Sequence, residues 1–269
     1  MRKVMFAALA AIAVTTSASA QAHDDQPPSS SEKPWSQADA YFGKETMADA
    51  RRAVQAGGGA QNSFYVLFNQ LEAQFSDESE SLYWNGQASW GDDINKLWIK
   101  SEGRTSLNGD GTEDAELQAL YSRAISPYWN LQAGVRHDFE PHGLTHGVLA
   151  LQGLAPYWFE IDASAFLSEK GDLTARFEAE YEFLLTQRLI LQPRIEANFS
   201  AQDIAERETG SGLNSIDAGL RLRYEFVREL APYLGVEWQS EFGGSRDYTR
   251  VAGGDPDQVV VVGGIRTWF

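Results

Sequence analysis

Residues 258–269 read QVVVVGGIRTWF. Side chains alternate faces along a strand, so one face here carries Val259, Val261, Gly263, Ile265, Thr267 and Phe269. The other carries Val260, Val262, Gly264, Arg266 and Trp268. Only the second face holds a charge. A soluble protein rarely leaves Phe exposed in such a strand, whereas a strand that closes a membrane barrel sets that ring at the lipid boundary. The remaining strands of such a barrel are therefore expected upstream.

The composition agrees with that expectation. The net charge is −16 over 269 residues, which argues against nucleic acid as a partner because a phosphate backbone requires Lys and Arg. There is no Cys, which excludes a disulfide scaffold and any thiolate metal site. The mean hydropathy of −0.37 is too polar for a helical membrane protein. An alternating barrel conceals its membrane signal in this way, since every second residue is polar.

Residues 1–20 read as a cleaved secretory signal peptide: Arg2 and Lys3, an apolar run over 4–14, then Ala18, Ser19 and Ala20. The cut is expected after Ala20, with Ala22 as the alternative. Residues 21–60 read as a mostly disordered periplasmic linker containing Pro27 and Pro28, with a short helix allowed over 39–55. Residues 61–269 are expected to form an all-β fold, a transmembrane antiparallel barrel of about twelve strands.

The period-two segments are 63–75, 82–90, 96–103, 114–125, 128–139, 145–154, 158–168, 173–184, 189–199, 215–226, 233–242 and 258–269. Their connections alternate between short turns and longer polar loops, as outer-membrane barrels show, with the short turns in the periplasm. Pro127, Pro156 and Pro232 each precede a Tyr near a strand start, and with Trp129, Trp158 and Trp268 they suggest an aromatic girdle.

Alternation alone does not say which face looks outward. The polar faces of three clean strands carry Arg176, Glu178, Glu180 and Glu182, then Arg194 and Glu196, then Asp217, Arg221, Arg223 and Glu225, with Glu237 on the next. A soluble barrel would turn these charges to water. The girdle and the loop asymmetry favour placing them in an enclosed lumen, held by ion pairs or forming a cation-attracting wall.

Several runs resemble the bacterial copper-resistance protein B family: QGLAPYWFE at 152–160, LTQRLILQPR at 185–194, GLRLRYE at 219–225, APYLGVEW at 231–238 and the Trp268-Phe269 pair. The resemblance extends over about 63–269. It implies an outer-membrane barrel of a Gram-negative bacterium that takes part in copper tolerance and copper homeostasis. It also implies that copper ions are bound as ligand rather than as a catalytic cofactor, with outer-membrane lipid and periplasmic copper-resistance proteins as partners. Members often carry a Met- and His-rich segment after the signal, but this chain has only His23 and Met47 there.

A separate reading comes from the histidines. His137, His142 and His146 fall in one hairpin with Asp138 and Glu140, and imidazole with carboxylate suits Cu(II). The alternative is three solvated loop histidines without a ligand role. The alternative for the whole chain is a general small-solute porin or structural barrel with no metal role. No G-x-S-x-G, P-loop or H-E-x-x-H is present, so an enzyme is not expected.

Overall fold

A computed structural model describes residues 36–57, 62–76, 79–108, 111–141 and 143–269. The expected signal peptide, linker residues 21–35 and 58–60, and His142 lie outside the described residues. The chain divides into a small N-terminal unit and a second unit over 60–269. In the first, helices α1 (Asp39–Phe42) and α2 (Lys44–Gly57) are tied by an ion pair from Arg51 to Asp39 at 2.7 Å.

The second unit is one closed antiparallel sheet. Its strands are β1 (Ser63–Phe75), β2 (Glu80–Gly91), β3 (Asn95–Ser106), β4 (Thr112–Ser126), β5 (Trp129–Glu140) and β6 (Leu144–Ala155). They continue as β7 (Phe159–Ser168), β8 (Leu173–Glu180), β9 (Phe183–Leu184), β10 (Leu189–Ser200), β11 (Gly212–Tyr224), β12 (Leu230–Glu241) and β13 (Asp257–Trp268). Each successive stave pairs with the one before it, and β13 returns to β1, with Leu67 opposite Trp268 and Phe75 opposite Val261. Both β8 and β9 pair with β10, so they are two pieces of one stave in a twelve-stave barrel.

The split corrects the expectation of one strand over 173–184. Pro193 lies within β10 at the level of the gap, between Arg194, which pairs with Glu180, and Leu191, which pairs with Phe183. Proline has no N–H to donate across the ladder. The Tyr181 N–H still donates to the Pro193 carbonyl at 3.1 Å, but the reciprocal bond cannot form. Two further expectations shift. The seventh strand starts at Phe159, because residues Pro156–Trp158 form a tight 3-10 turn. The polar stretch over 243–257 contains helix α3 (Gly243–Ala252).

Apolar side chains form the outer face. Phe177 is 41% and Leu220 44% exposed, whereas Arg194 is 6% and Arg221 3% exposed. In β13, Val259 and Val261 look out while Val260 and Val262 are buried inside. Water would not tolerate so wide an apolar band, but lipid does. Exposed aromatics flank this band, with Phe75, Phe139 and Phe199 at one end and Trp90, Tyr128, Tyr157 and Trp158 at the other, where the turns are short. The opposite end carries the longer loops and α3. There the Ser245 hydroxyl accepts a hydrogen bond from the Gly210 N–H at 2.9 Å. This seats the 201–211 loop against α3 across the mouth.

Candidate functional site

The interior is built from the alternate residues of the staves, and its charges pair with one another. Arg194 on β10 reaches Glu178 on β8 with two bonds, at 2.9 and 3.0 Å, and also pairs with Glu196. Arg221 on β11 makes a two-pronged contact with Glu72 on β1, at 3.0 and 2.8 Å, and a third bond to Glu237 on β12 at 2.7 Å. Towards the short turns, Glu182 accepts from Arg223 at 2.8 Å and from Arg266 at 2.6 Å, and Glu225 lies 3.7 Å from Arg223. Glu180 accepts from Gln192 at 2.9 Å. A forked guanidinium–carboxylate contact fixes geometry as well as charge, so these networks brace the wall.

Other contacts span the lumen between strands distant in the sheet. Lys100 on β3 meets Asp162 on β7 at 2.5 Å. Asn69 on β1 donates to Glu180 on β8 at 3.4 Å. Arg176 on β8 reaches Glu102 on β3 at 2.8 Å and Glu116 on β4 at 3.2 Å, with Glu196 at 3.5 Å. A cavity of about 390 Å³ opens towards the short turns and another of about 470 Å³ towards the long loops. Asp217 lines the second cavity.

The partners Glu72, Glu102, Glu116, Arg136, Lys100 and Asp162 were not among the lumen charges expected from the sequence. For Glu72 the cause is a bulge. The β1–β2 register shifts between Phe68 and Gln70, so Leu67 and Gln70 both face inward and the parity of every later residue changes. Glu116 was open to detection, since Glu116, Gln118 and Ser122 share one face of β4.

The histidine hairpin is β5–β6. Its register pairs Arg136 with His146 and His137 with Thr145. Directly paired residues share a face, so His146 lies inside and His137 outside. His137 is exposed, bonds Thr145 at 3.1 Å and packs edge-on against Phe139, their ring centres 4.8 Å apart. His146 is buried beside buried Asp138, with Nδ1 3.9 Å from the carboxylate. Arg136 binds the other Asp138 oxygen at 2.5 Å, and Arg207 from the 201–211 loop lies 2.9 Å from Asp138 and 3.4 Å from His146 Nε2. The structure thus brings His146 and Asp138 together and keeps His137 on the opposite face. Glu140 lies at the rim and lines the same long-loop cavity as Asp138. Among the described residues no group of three or more His, Asp or Glu is arranged to hold a metal ion.

Comparison with known proteins adds the remaining information. The family model described as copper resistance protein B precursor matches residues 62–269. Copper resistance protein B of Escherichia coli is 45% identical over 208 residues, covering 77% of this chain and 70% of that protein. The copper resistance protein B homolog of Pseudomonas syringae pv. tomato is 41% identical over 232 residues, covering 83% and 78% respectively. The NanC porin shares the fold, with a TM-score of 0.51 at 11% identity, covering 76% of this chain and 99% of that one.

Proposed function

We propose that this chain, which belongs to the copper resistance protein B family, contributes to copper tolerance as an outer-membrane barrel that binds copper ions. The family match along the whole barrel, residues 62–269, carries this reading. The chemistry of the interior supports it. Carboxylates and a buried imidazole are ligands suited to Cu(II), and both are present at the long-loop end. In this reading the short turns lie in the periplasm and the long loops outside the cell.

The first ligands are His146 and Asp138, with Glu140 at the rim. Arg207 occupies the space beside both His146 and Asp138, so copper must displace its guanidinium. His137 would take part only from the outer surface. Copper is then cargo or bound ligand, and the chain's own residues supply the attraction and the site. The competing reading is a small-solute porin or structural barrel without a metal role.

Two measurements test the proposal. A deletion strain is expected to grow poorly in copper and to be restored by the wild-type gene. The refolded barrel is expected to bind Cu(II) in calorimetry, and the double variant His146→Ala/Asp138→Asn to bind it more weakly. Unaltered copper tolerance in the deletion strain, with no binding by the barrel, would favour the porin reading.

A further inference from the structure

The two large lumen cavities meet at a single partition. Four residues line both of them: Glu102, Glu116, Phe166 and Arg176. Three of the four are charged, and the cation among them connects opposite walls. Arg176 projects from β8, while Glu102 and Glu116 stand on β3 and β4, with β5, β6 and β7 between in sheet order. Its Nη1 lies 2.8 Å from Glu102, its Nη2 3.2 Å from Glu116, and its Nε 3.5 Å from Glu196 and 3.4 Å from the Asn198 amide oxygen. Every nitrogen of the guanidinium is therefore anchored. Tyr83 holds the far side of Glu102 at 2.7 Å, and the Phe166 ring lies beneath the guanidinium, 5.9 Å from its carbon.

The linings on either side of the partition carry more carboxylates than cations. Towards the short turns these include Glu160, Glu178 and Glu180, and towards the long loops Asp114, Asp217 and Glu241. A narrow channel lined by one sign of charge concentrates ions of the opposite sign. Small cations therefore collect in both chambers. At the partition they meet a fixed positive charge held between opposite walls.

We propose that the barrel is a cation-selective conduit whose conductance is set by Arg176, the strut that closes the throat between two acidic chambers. Removing the guanidinium joins the chambers and leaves Glu102, Glu116 and Glu196 facing the opening, which lowers the barrier for cations and raises it for anions. The inference shares with the proposed function only the membrane-spanning barrel and does not depend on copper binding.

The test is ion conduction by refolded protein in a planar lipid bilayer, with potassium chloride as the probe. A salt near 0.1 M keeps the screening length at about 10 Å, so fixed charges remain visible. Wild type is expected to conduct weakly. Arg176→Ala is expected to conduct several-fold more, with a reversal potential in a salt gradient that shows potassium as the carrier. Arg176→Lys keeps the charge but loses the fork, and is expected to lie between the two. Folding of each variant is checked by the heat-dependent shift of the barrel on a detergent gel. Should Arg176→Ala not fold, Arg176→Gln removes the charge while keeping a polar side chain beside Glu102 and Glu116, and is expected to raise conductance likewise. Conductance equal to wild type in a folded variant overturns the proposal, as does a gained current carried by chloride. Growth in copper is a separate measurement, so failure here leaves the tolerance reading intact and the reverse also holds.

Discussion

Replacing Arg221 with Met should be among the most damaging single changes inside the barrel. Arg221 is 3% and Glu72 1% exposed, so water does little to solvate either. Glu72 accepts two bonds from Arg221, one from the Tyr233 hydroxyl at 2.9 Å and one from Gln74 at 2.9 Å. Glu237 relies on the same guanidinium. Methionine fills much of the volume but leaves two carboxylates without their cation. Breaking a buried pair by removing one partner costs about 3–5 kcal/mol, a factor of roughly 10² to 10⁴ in the folding equilibrium. Denaturant unfolding of the reconstituted barrel, followed by tryptophan fluorescence, measures this. Neutralising the stranded acids as well, in Arg221→Met/Glu72→Gln/Glu237→Gln, is expected to recover most of the loss, because an uncharged lumen has no unpaired ion to bury. A loss below about 1 kcal/mol for the single variant, the range of exposed pairs, would refute the reasoning and show that water reaches the network freely.

Two other changes probe the same construction. At Gly219 a Cβ would stand 2.5 Å from an Arg221 guanidinium nitrogen and 3.1 Å from Glu237. Gly219→Val is therefore expected to cost about 1–3 kcal/mol in the same unfolding assay, and much less once Arg221 is already Met. At the β2–β3 turn, the N–H groups of Asn95 and Ile94 bond the Asp92 carboxylate at 2.6 and 2.8 Å and hold its pKa below the ordinary 3.8. A depressed carboxyl stabilises the fold above its unfolded pKa and ceases to do so as pH falls through the folded one. Asp92→Ala should thus lower the unfolding midpoint at neutral pH and match wild type well below pH 3.8; an equal deficit at both pH values would exclude the capping role.

What the local pattern could convey is seen best in β10 and β11. Ile195, Ala197 and Phe199 alternate with Arg194, Glu196 and Asn198, and the structure keeps that alternation along the ladder between the two strands. The stave 173–184 is different. Its own residues alternate without a flaw, yet it breaks opposite Pro193, a residue in another strand. The histidines show the same dependence on a neighbour. His137 and His146 are close in the chain, but the β5–β6 register decides that His146 stands across from Arg136 and so faces inward. Register is a property of the paired strands, and side-chain type in either one does not report it.

From the residues alone, then, came the barrel class and the outward apolar face. The barrel class follows from a period of two carried in the strands' own sequence, and the outward face from the aromatic girdle and the loop asymmetry. Tertiary structure decided which charge meets which. It carried Glu72 inward through a bulge, set Arg221 against it 149 positions away, and stretched Arg176 across the lumen to Glu102 and Glu116. Such contacts depend on the closure of β13 onto β1 and on the stagger of every stave between, and both are properties of the assembled sheet rather than of any one segment.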